Sequence, residues 1–212
     1  MLLRKFMPLF LLILCACESQ KPHVVVLDFG SHATPKIAQR LGHFSIPHVI
    51  LDGQESVETI LKYNPKAVIL SGGPASVYQP GSPKADIRLY EMGIPLLGIC
   101  YGMQLMAQQL GGQVSSCKRP ESKKIVPVHV DQDSPLHQKS HTPIPTWMYH
   151  QDCVEIIPEG FQSLGFTQDT KIAMFYHPEK QFYGVQFHPE RLDKTREGVI
   201  FLDRFIFSVL AK

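Results

Sequence analysis

The cysteines of this chain lack the spacing of a metal site or a disulfide framework. Five of the 212 residues are cysteines, at positions 15, 17, 100, 117 and 153, and no two of them form a Cys-x-x-Cys pair. Such pairs are typical of zinc sites, and dense cysteines of small disulfide-stabilised folds. We therefore expect neither a bound metal nor a disulfide framework. A chain of this length buries a sufficient hydrophobic core without them.

Runs of like charge, low-complexity tracts, internal repeats and linkers are also absent. The composition is 44% hydrophobic and 19% charged, and the formal net charge is +2. A surface that binds nucleic acid needs clustered basic residues, so no nucleic-acid partner is expected. We predict a single globular domain over residues 23–212.

The first 22 residues differ from the rest. Arg4 and Lys5 precede an apolar stretch that ends at Leu14, and Cys-Ala-Cys and several polar residues follow. A basic start, a short apolar region and a small residue before the break are typical of an export signal, and the stretch is short for a membrane span. We predict that 1–22 is a signal or lipoprotein segment, with Cys17 lipidated, and that the protein is exported or membrane-anchored. The alternative is a cytoplasmic protein with a mis-assigned start codon or an uncleaved apolar N-terminus.

Hydrophobic periodicity predicts an α/β fold. Up to Gly112, short apolar runs alternate with helical patterns, of which the third covers 84–92. This alternation is typical of a mostly parallel sheet with helices on both faces, a three-layer architecture. After Gly112 the pattern is β-rich, and a helix is predicted over 195–210. Ligands of such sheets bind beyond the carboxyl ends of the strands, so the chemistry is expected there.

Cys100 lies where one of these strands passes into a helix. Residues 95–104 read Pro-Leu-Leu-Gly-Ile-Cys-Tyr-Gly-Met-Gln, so Gly98 and Gly102 flank the cysteine. The same layout with serine is the nucleophile elbow of hydrolases. The positive end of the helix dipole favours a thiolate. Cys100 is therefore the predicted nucleophile, and the alternative is a buried structural cysteine.

Two His-Pro-Glu sequences offer a base for this thiol. His177 lies between two predicted strands, which favours a hairpin turn. His188 lies at the carboxyl end of the next strand, and in an extended chain Glu190 points to the same side. A thiol nucleophile needs a base, and the base needs an orienting acceptor. We predict His188 as the base and Glu190 as the third member, whereas a structural histidine is the alternative.

A third strand end carries Ser-Gly-Gly-Pro at 71–74. Attack on an amide creates an oxyanion that needs backbone N–H donors, and glycine lets the backbone approach closely. We predict Gly73 and Tyr101 as these donors, although Gly-Gly-Pro alone also fits a plain turn. The segment lacks the Lys-Ser/Thr of a phosphate-binding loop, so no nucleotide site is expected there.

These three segments, in this order, resemble those of the class I, triad-type glutamine amidotransferases. The likeness runs from about residue 23 to the C-terminus and is greatest to the amidotransferase domain of GMP synthase. That domain is similar in Leu-Asp-Phe-Gly-Ser at 27–31, Gly-Gly at 111–112, Trp-Met at 147–148 and Pro-Glu-Gly-Phe at 158–161. The resemblance implies the family's flavodoxin-like fold. It also implies hydrolysis of the glutamine side-chain amide through a γ-glutamyl thioester, with a triad of Cys100, His188 and Glu190.

The resemblance further implies which residues bind the substrate. Gln104, His150, Gln151 and Asp152 fall on positions that contact glutamine in the family. Residues 149–152 read Tyr-His-Gln-Asp where GMP synthase has Ser-His-Gly-Asp, so a backbone contact at Gln151 requires a negative φ. Residues 30–34 also depart from the family pattern. No cofactor is expected for glutamine hydrolysis, because ATP and magnesium belong to the synthetase half of the reaction.

The likeness ends where the ATP-using synthetase domain of the fused enzyme begins. The expected partner is therefore a separate ATP-dependent synthetase subunit that accepts ammonia, unless the domain acts alone as a glutaminase. Two alternatives stay open. One is an exported γ-glutamyl hydrolase or related amidase with the same triad. The other is a non-catalytic binding protein that retains the fold.

Overall fold

The computed structural model describes residues 24–210 of the chain. These residues form eleven strands: β1 (Val24–Asp28), β2 (His48–Asp52), β3 (Ala67–Leu70), β4 (Leu96–Ile99), β5 (Gln113–Ser116), β6 (Ser122–Val130), β7 (Ile144–Tyr149), β8 (Asp152–Ile156), β9 (Gln162–Phe166), β10 (Met174–His177) and β11 (Phe182–Val185). They also form four α-helices: α1 (Thr34–His43), α2 (Val57–Leu61), α3 (Tyr101–Gln109) and α4 (Val199–Leu210).

Nine strands form one mixed sheet in the order β2-β1-β3-β4-β11-β10-β9-β6-β7. The first five run parallel, and the pairings from β11 onward are antiparallel. The remaining strands, β5 and β8, pair antiparallel in a small second sheet. The predicted α/β architecture is confirmed, and the predicted β-rich second half supplies the antiparallel strands.

Apolar residues cover both faces of the parallel strands. In β1 every residue from Val24 to Leu27 is buried, and successive side chains point to opposite faces. On one face they pack with α1 and α4, through residues such as Ile37 and Phe205. On the other face they pack with α2 and α3, through residues such as Ile60 and Met106. Burial on both sides therefore requires three layers.

One predicted helix is shorter and tighter than expected. The segment 84–92 contains only a 3₁₀-helix, Ile87–Glu91. The Asp86 carboxylate accepts a hydrogen bond from the Arg88 backbone N–H and so begins the helix late. Gly93, with a φ of +68°, follows directly and favours an early end. The two ends leave room for little more than one turn.

Two strands were not predicted, and each has a local reason. β5 is exposed except for Val114, because it belongs to the small second sheet. β7 contains Pro145, which removes a ladder donor, and it lies at the edge of the large sheet.

The parallel strands end at one edge of the sheet, and this edge holds the predicted site. Cys100 follows β4, the segment 71–74 follows β3, and His188 lies beyond β11. Among residues 24–210, no helix has the length and apolar character needed to cross a membrane. The predicted export segment 1–22, with Cys17, lies outside the described residues.

Candidate active site

Cys100 forms the turn between β4 and α3. Its φ is +51°, in the left-handed region that strains a residue with a side chain. Its backbone N–H donates to the carbonyl of Val185 at 2.8 Å, which ties the turn to β11. Because α3 begins at Tyr101, the cysteine lies at the positive end of a helix dipole. The turn therefore holds a thiol where an anion is favoured.

The two glycines beside Cys100 permit close packing of the backbone. A Cβ on Gly98 would lie 2.7 Å from the carbonyl carbon and oxygen of Gly102. A Cβ on Gly102 would lie 2.4 Å from the carbonyl oxygen of Leu70 in β3. The Gly102 N–H also donates to the Ser71 carbonyl at 3.0 Å. The glycines thus allow α3 to start directly against β3 and β4.

His188 and Glu190 form a buried pair beside this turn. The Nδ1 of His188 lies 2.8 Å from the Oε1 of Glu190, and the two residues are 7% and 4% exposed. The backbone N–H of His188 donates to the carbonyl of Trp147 at 2.9 Å. Since Glu190 binds Nδ1, Nε2 is the ring nitrogen left for the reaction, and no protein group forms a hydrogen bond with it.

The charges around His188 favour its protonated form. Burial by itself lowers the pKa of an imidazole. The charges of Glu190 and Cys100, and the hydrogen bond to Glu190, outweigh burial and raise the pKa of His188 well above its ordinary value. A protonated imidazole next to the cysteine can give its proton to a leaving group. The site thus combines a nucleophile with a proton donor.

The segment 71–74 lies against both the histidine and the start of α3. A Cβ on Gly72 would lie 3.2 Å from Cε1 of His188, and one on Gly73 would lie 3.2 Å from Cγ of Tyr101. The N–H of Tyr101 belongs to the first turn of α3, where an amide has no intrahelical acceptor. Gly73 and Tyr101 are therefore brought together, although their role as oxyanion donors stays a prediction.

Gln104 is buried below the cysteine, on α3. Its Nε2 donates to the carbonyl of Asp152 at 2.8 Å and to Oε1 of Gln186 at 3.0 Å. Both amide hydrogens are thus used within the protein. No role was predicted for Gln186, although a polar residue in an otherwise apolar strand segment indicates a buried hydrogen bond. It holds the amide of Gln104 in one orientation.

The loop at 149–152 contacts the nucleophile through its backbone. The Cys100 thiol donates to the carbonyl of Tyr149, with Sγ and O 3.7 Å apart. Gln151 is exposed and is not among the residues with a positive φ, so the condition for a backbone contact at this position is met. Asp152 is buried, and its Oδ1 accepts from the hydroxyl of Tyr78 at 2.9 Å.

The His150 ring is buried among protein groups, and its role in binding substrate stays a prediction. Its Nδ1 lies 3.1 Å from the carbonyl of Asp152 and 3.5 Å from Sγ of Cys117, and its Nε2 lies 3.5 Å from Oε2 of Glu121. The ring is packed within the protein, and these contacts include neither Cys100 nor His188.

The expectation that the chain has no disulfide is wrong. Cys117 and Cys153 are bonded, although 36 residues separate them in sequence. Their pairing arises from the antiparallel ladder of β5 and β8, in which Ser115 lies opposite Cys153. Local cysteine spacing carries no information on such a ladder. The two sulfurs and His150 lie within 4.8 Å of one another, the kind of cluster that can hold a metal when the thiols are free.

The His-Pro-Glu sequence at 177–179 lies at the opposite end of strands β4 and β11 from Cys100. His177 pairs with Phe182, which pairs with Leu96 at the start of β4, so about 13 Å of strand separates it from Cys100. The N–H of Gln181 donates to the His177 carbonyl at 3.0 Å and closes the predicted hairpin. The two histidines therefore stand in different environments despite their shared sequence.

The sequence of this chain matches a known family. The family described as "Glutamine amidotransferase class-I" matches residues 25–208. A GMP synthase [glutamine-hydrolyzing] of Thermus thermophilus is 44% identical over 190 residues, which are 89% of this chain and 37% of the relative. Its counterpart in Prochlorococcus marinus (strain MIT 9312) is 36% identical over 192 residues, 91% of this chain and 36% of the relative. The chain thus spans little more than a third of these curated relatives.

Solved structures show the same fold. A candidate GMP synthase subunit from Thermoplasma acidophilum has a TM-score of 0.79 at 23% identity, and the match covers 90% of this chain and 95% of that one. A glutamine amidotransferase from Thermotoga maritima has a TM-score of 0.68 at 20% identity, over 90% and 83% of the two chains. At these identities the likeness is one of architecture, and it places this chain's mixed sheet among such folds.

Proposed function

Because this chain belongs to the class-I glutamine amidotransferase family and is similar to the GMP synthase type, we propose that it hydrolyses the side-chain amide of glutamine to release ammonia. The observation that carries the proposal is the buried His188. Glu190 holds its Nδ1, and the charges of Glu190 and Cys100 raise its pKa. An imidazolium beside a cysteine sulfur supplies both groups that amide cleavage needs, a nucleophile and a proton donor.

The geometry assigns a step to each group. The Cys100 sulfur attacks the carboxamide carbon, and a C–S bond forms. The C–N bond then breaks as His188 gives its proton to the leaving ammonia. Water next attacks the γ-glutamyl thioester, with His188 taking a proton from it, and glutamate leaves as the thiol is restored. Glu190 keeps the ring orientation and stabilises the imidazolium throughout.

Backbone amides are proposed to stabilise the oxyanion in both halves of this reaction. Gly73 and Tyr101 are the candidates, since a side chain at 73 would collide with the Phe29 carbonyl at 2.6 Å. One such donor is worth about 10²–10³ in rate in a serine protease. The half-reaction uses protein side chains and backbone alone, so no cofactor is needed for it.

Ammonia release from glutamine tests this proposal. The purified full chain is expected to release ammonia and glutamate from glutamine, and to act far more slowly on asparagine, whose carboxamide is one methylene shorter. A γ-glutamyl peptide is measured alongside. Cleavage of the peptide alone would replace glutaminase with γ-glutamyl hydrolase, and activity on neither would favour a non-catalytic binding protein.

The ammonia acceptor is a further part of the proposal. We propose an ATP-dependent synthetase as the partner that accepts the ammonia, since the relatives that this chain matches are named GMP synthases. On that proposal, a GMP synthetase subunit with its nucleotide substrates increases glutamine hydrolysis. An unchanged rate would favour a glutaminase that acts alone.

For the glutaminase that acts alone, we propose that the protein is exported and lipidated at Cys17, because an exported chain does not meet a synthetase that needs cytoplasmic ATP. Besides the N-terminal sequence, the bond between Cys117 and Cys153 supports this, because disulfides persist in oxidising compartments. Several acyl chains should anchor firmly at ~0.8 kcal/mol per buried CH₂. In fractionated cells the full chain is expected with the membranes, and Cys17→Ser is expected to lose that association. Recovery of the chain in the cytosol with residues 1–16 intact would contradict export.

A further inference from the structure

Cys117 and Cys153 lie next to the loop 149–152, which contacts Cys100 through the carbonyl of Tyr149. Cys153 is the second residue of β8, and the Cys117 N–H donates to the Gln151 carbonyl at 2.9 Å. Within this loop, the Tyr149 carbonyl accepts a hydrogen bond from the Cys100 thiol, and the Asp152 carbonyl accepts one from the side-chain amide of Gln104. The bond thus joins the start of β8, at one end of the loop, to the residue that directly follows β5.

A buried acid–base pair stands beside this bond. The Nδ1 of His150 is 3.5 Å from Sγ of Cys117, and its Nε2 is 3.5 Å from Oε2 of Glu121. The burial of Glu121 works to raise its pKa, but the His150 ring at 3.5 Å and hydrogen bonds from Thr167 and Thr170 outweigh this and lower it. Glu121 is therefore held as a carboxylate, and the ring of His150 lies between this carboxylate and the Cys117 sulfur.

We propose that Cys117 and Cys153 form a redox-active pair whose state sets the affinity of the site for glutamine. In the oxidised state the bond holds the loop in the position that binds substrate, and reduction loosens it. His150 is the proton donor for the exchange, and Glu121 is a positioning residue that acts through His150. A disulfide that is only structural does not require an acid–base pair such as His150 and Glu121 beside it.

The exchange balances with a dithiol as the reductant. A thiolate of the dithiol attacks Sγ of Cys153, and the bond between the two protein sulfurs breaks. Cys117 leaves as a thiolate and takes a proton from His150. The second thiol of the reductant then attacks the mixed disulfide, so that Cys153 is released and the reductant closes into a cyclic disulfide. Two electrons pass to the protein, and oxidation by a disulfide reverses the sequence.

Steady-state kinetics test the effect on the site, and this readout rests on the proposed glutaminase activity. Reduction of the full chain with dithiothreitol is expected to raise KM for glutamine about tenfold, the upper range for one lost hydrogen bond, with kcat changed less than about twofold. Re-oxidation restores KM. The variant Cys117→Ser/Cys153→Ser is expected to show the high KM in either buffer. Equal KM values for the oxidised, reduced and double-variant proteins would overturn the proposal.

The rate of reduction tests the acid–base pair without any turnover. Glu121→Gln is expected to slow reduction by dithiothreitol several-fold, as measured by alkylation and mass spectrometry of Cys117 and Cys153. Glu155→Gln is the matched control, because Glu155 is an exposed carboxylate on β8, the strand that carries Cys153. Loosening of the fold would accelerate reduction, so a faster or unchanged rate in Glu121→Gln would overturn the role of the pair. This readout survives even if glutamine is not the substrate.

Discussion

Replacement of Cys100 by alanine is expected to abolish ammonia release from glutamine, with a loss of at least about 10⁴-fold, while the fold is retained. Removal of a nucleophile that acts as part of a triad has effects of this size or larger. Alanine meets the same positive φ as cysteine and occupies less space in a residue that is only 5% exposed. Initial rates and a thermal unfolding curve on the same preparation measure both halves of the expectation.

The disulfide supplies the control for this variant. Loss of Cys117 and Cys153 together is expected to raise KM but to leave most of kcat, because neither sulfur contacts the catalytic histidine. In the oxidised protein, Cys100 is the only free cysteine of the described residues, so a glutamine-like electrophile should label position 100 among them. Hydrolysis retained in Cys100→Ala would remove this residue from the mechanism.

Replacement of His188 by alanine is expected to cost nearly as much, about 10³-fold to 10⁶-fold in kcat. Without the imidazole, no group remains to protonate the leaving ammonia or to activate the water. His177→Ala is the matched control, since His177 is also a buried histidine in a His-Pro-Glu sequence. It is expected to change kcat less than about twofold and to lower stability by about 1 kcal/mol, the typical cost of a substitution. If His177→Ala were the more damaging variant, the assignment of the base would be wrong.

Glu190→Gln separates orientation from proton transfer at the same site. The variant keeps the base, so it is expected to lose less activity than His188→Ala. The charge of Glu190 is one of the causes that raise the pKa of His188. Its removal therefore lowers that pKa, and the alkaline decline of kcat, where the imidazolium is lost, moves to lower pH. A pH–rate profile with an unmoved alkaline limb would show that Glu190 does not act through this charge.

The sequence was sufficient to predict which groups meet at the candidate site because their constraints are local. Gly98 and Gly102 flank Cys100 since a side chain at either position would collide with neighbouring backbone. A parallel sheet brings its carboxyl ends to one edge, so three strand-end motifs were predictable neighbours. The difference between His177 and His188 also followed from local context, a turn in one case and a strand end in the other.

Tertiary structure alone decided what surrounds those groups. The bond between Cys117 and Cys153 depends on the pairing of β5 with β8, and the surroundings of His150 depend on Glu121, which directly precedes β6. Gln186 meets Gln104 only because α3 packs across β11. A sequence motif reflects the backbone conformation and the close packing that its own segment requires. Contacts between segments distant in sequence depend on strand register and packing, which one sequence does not specify locally.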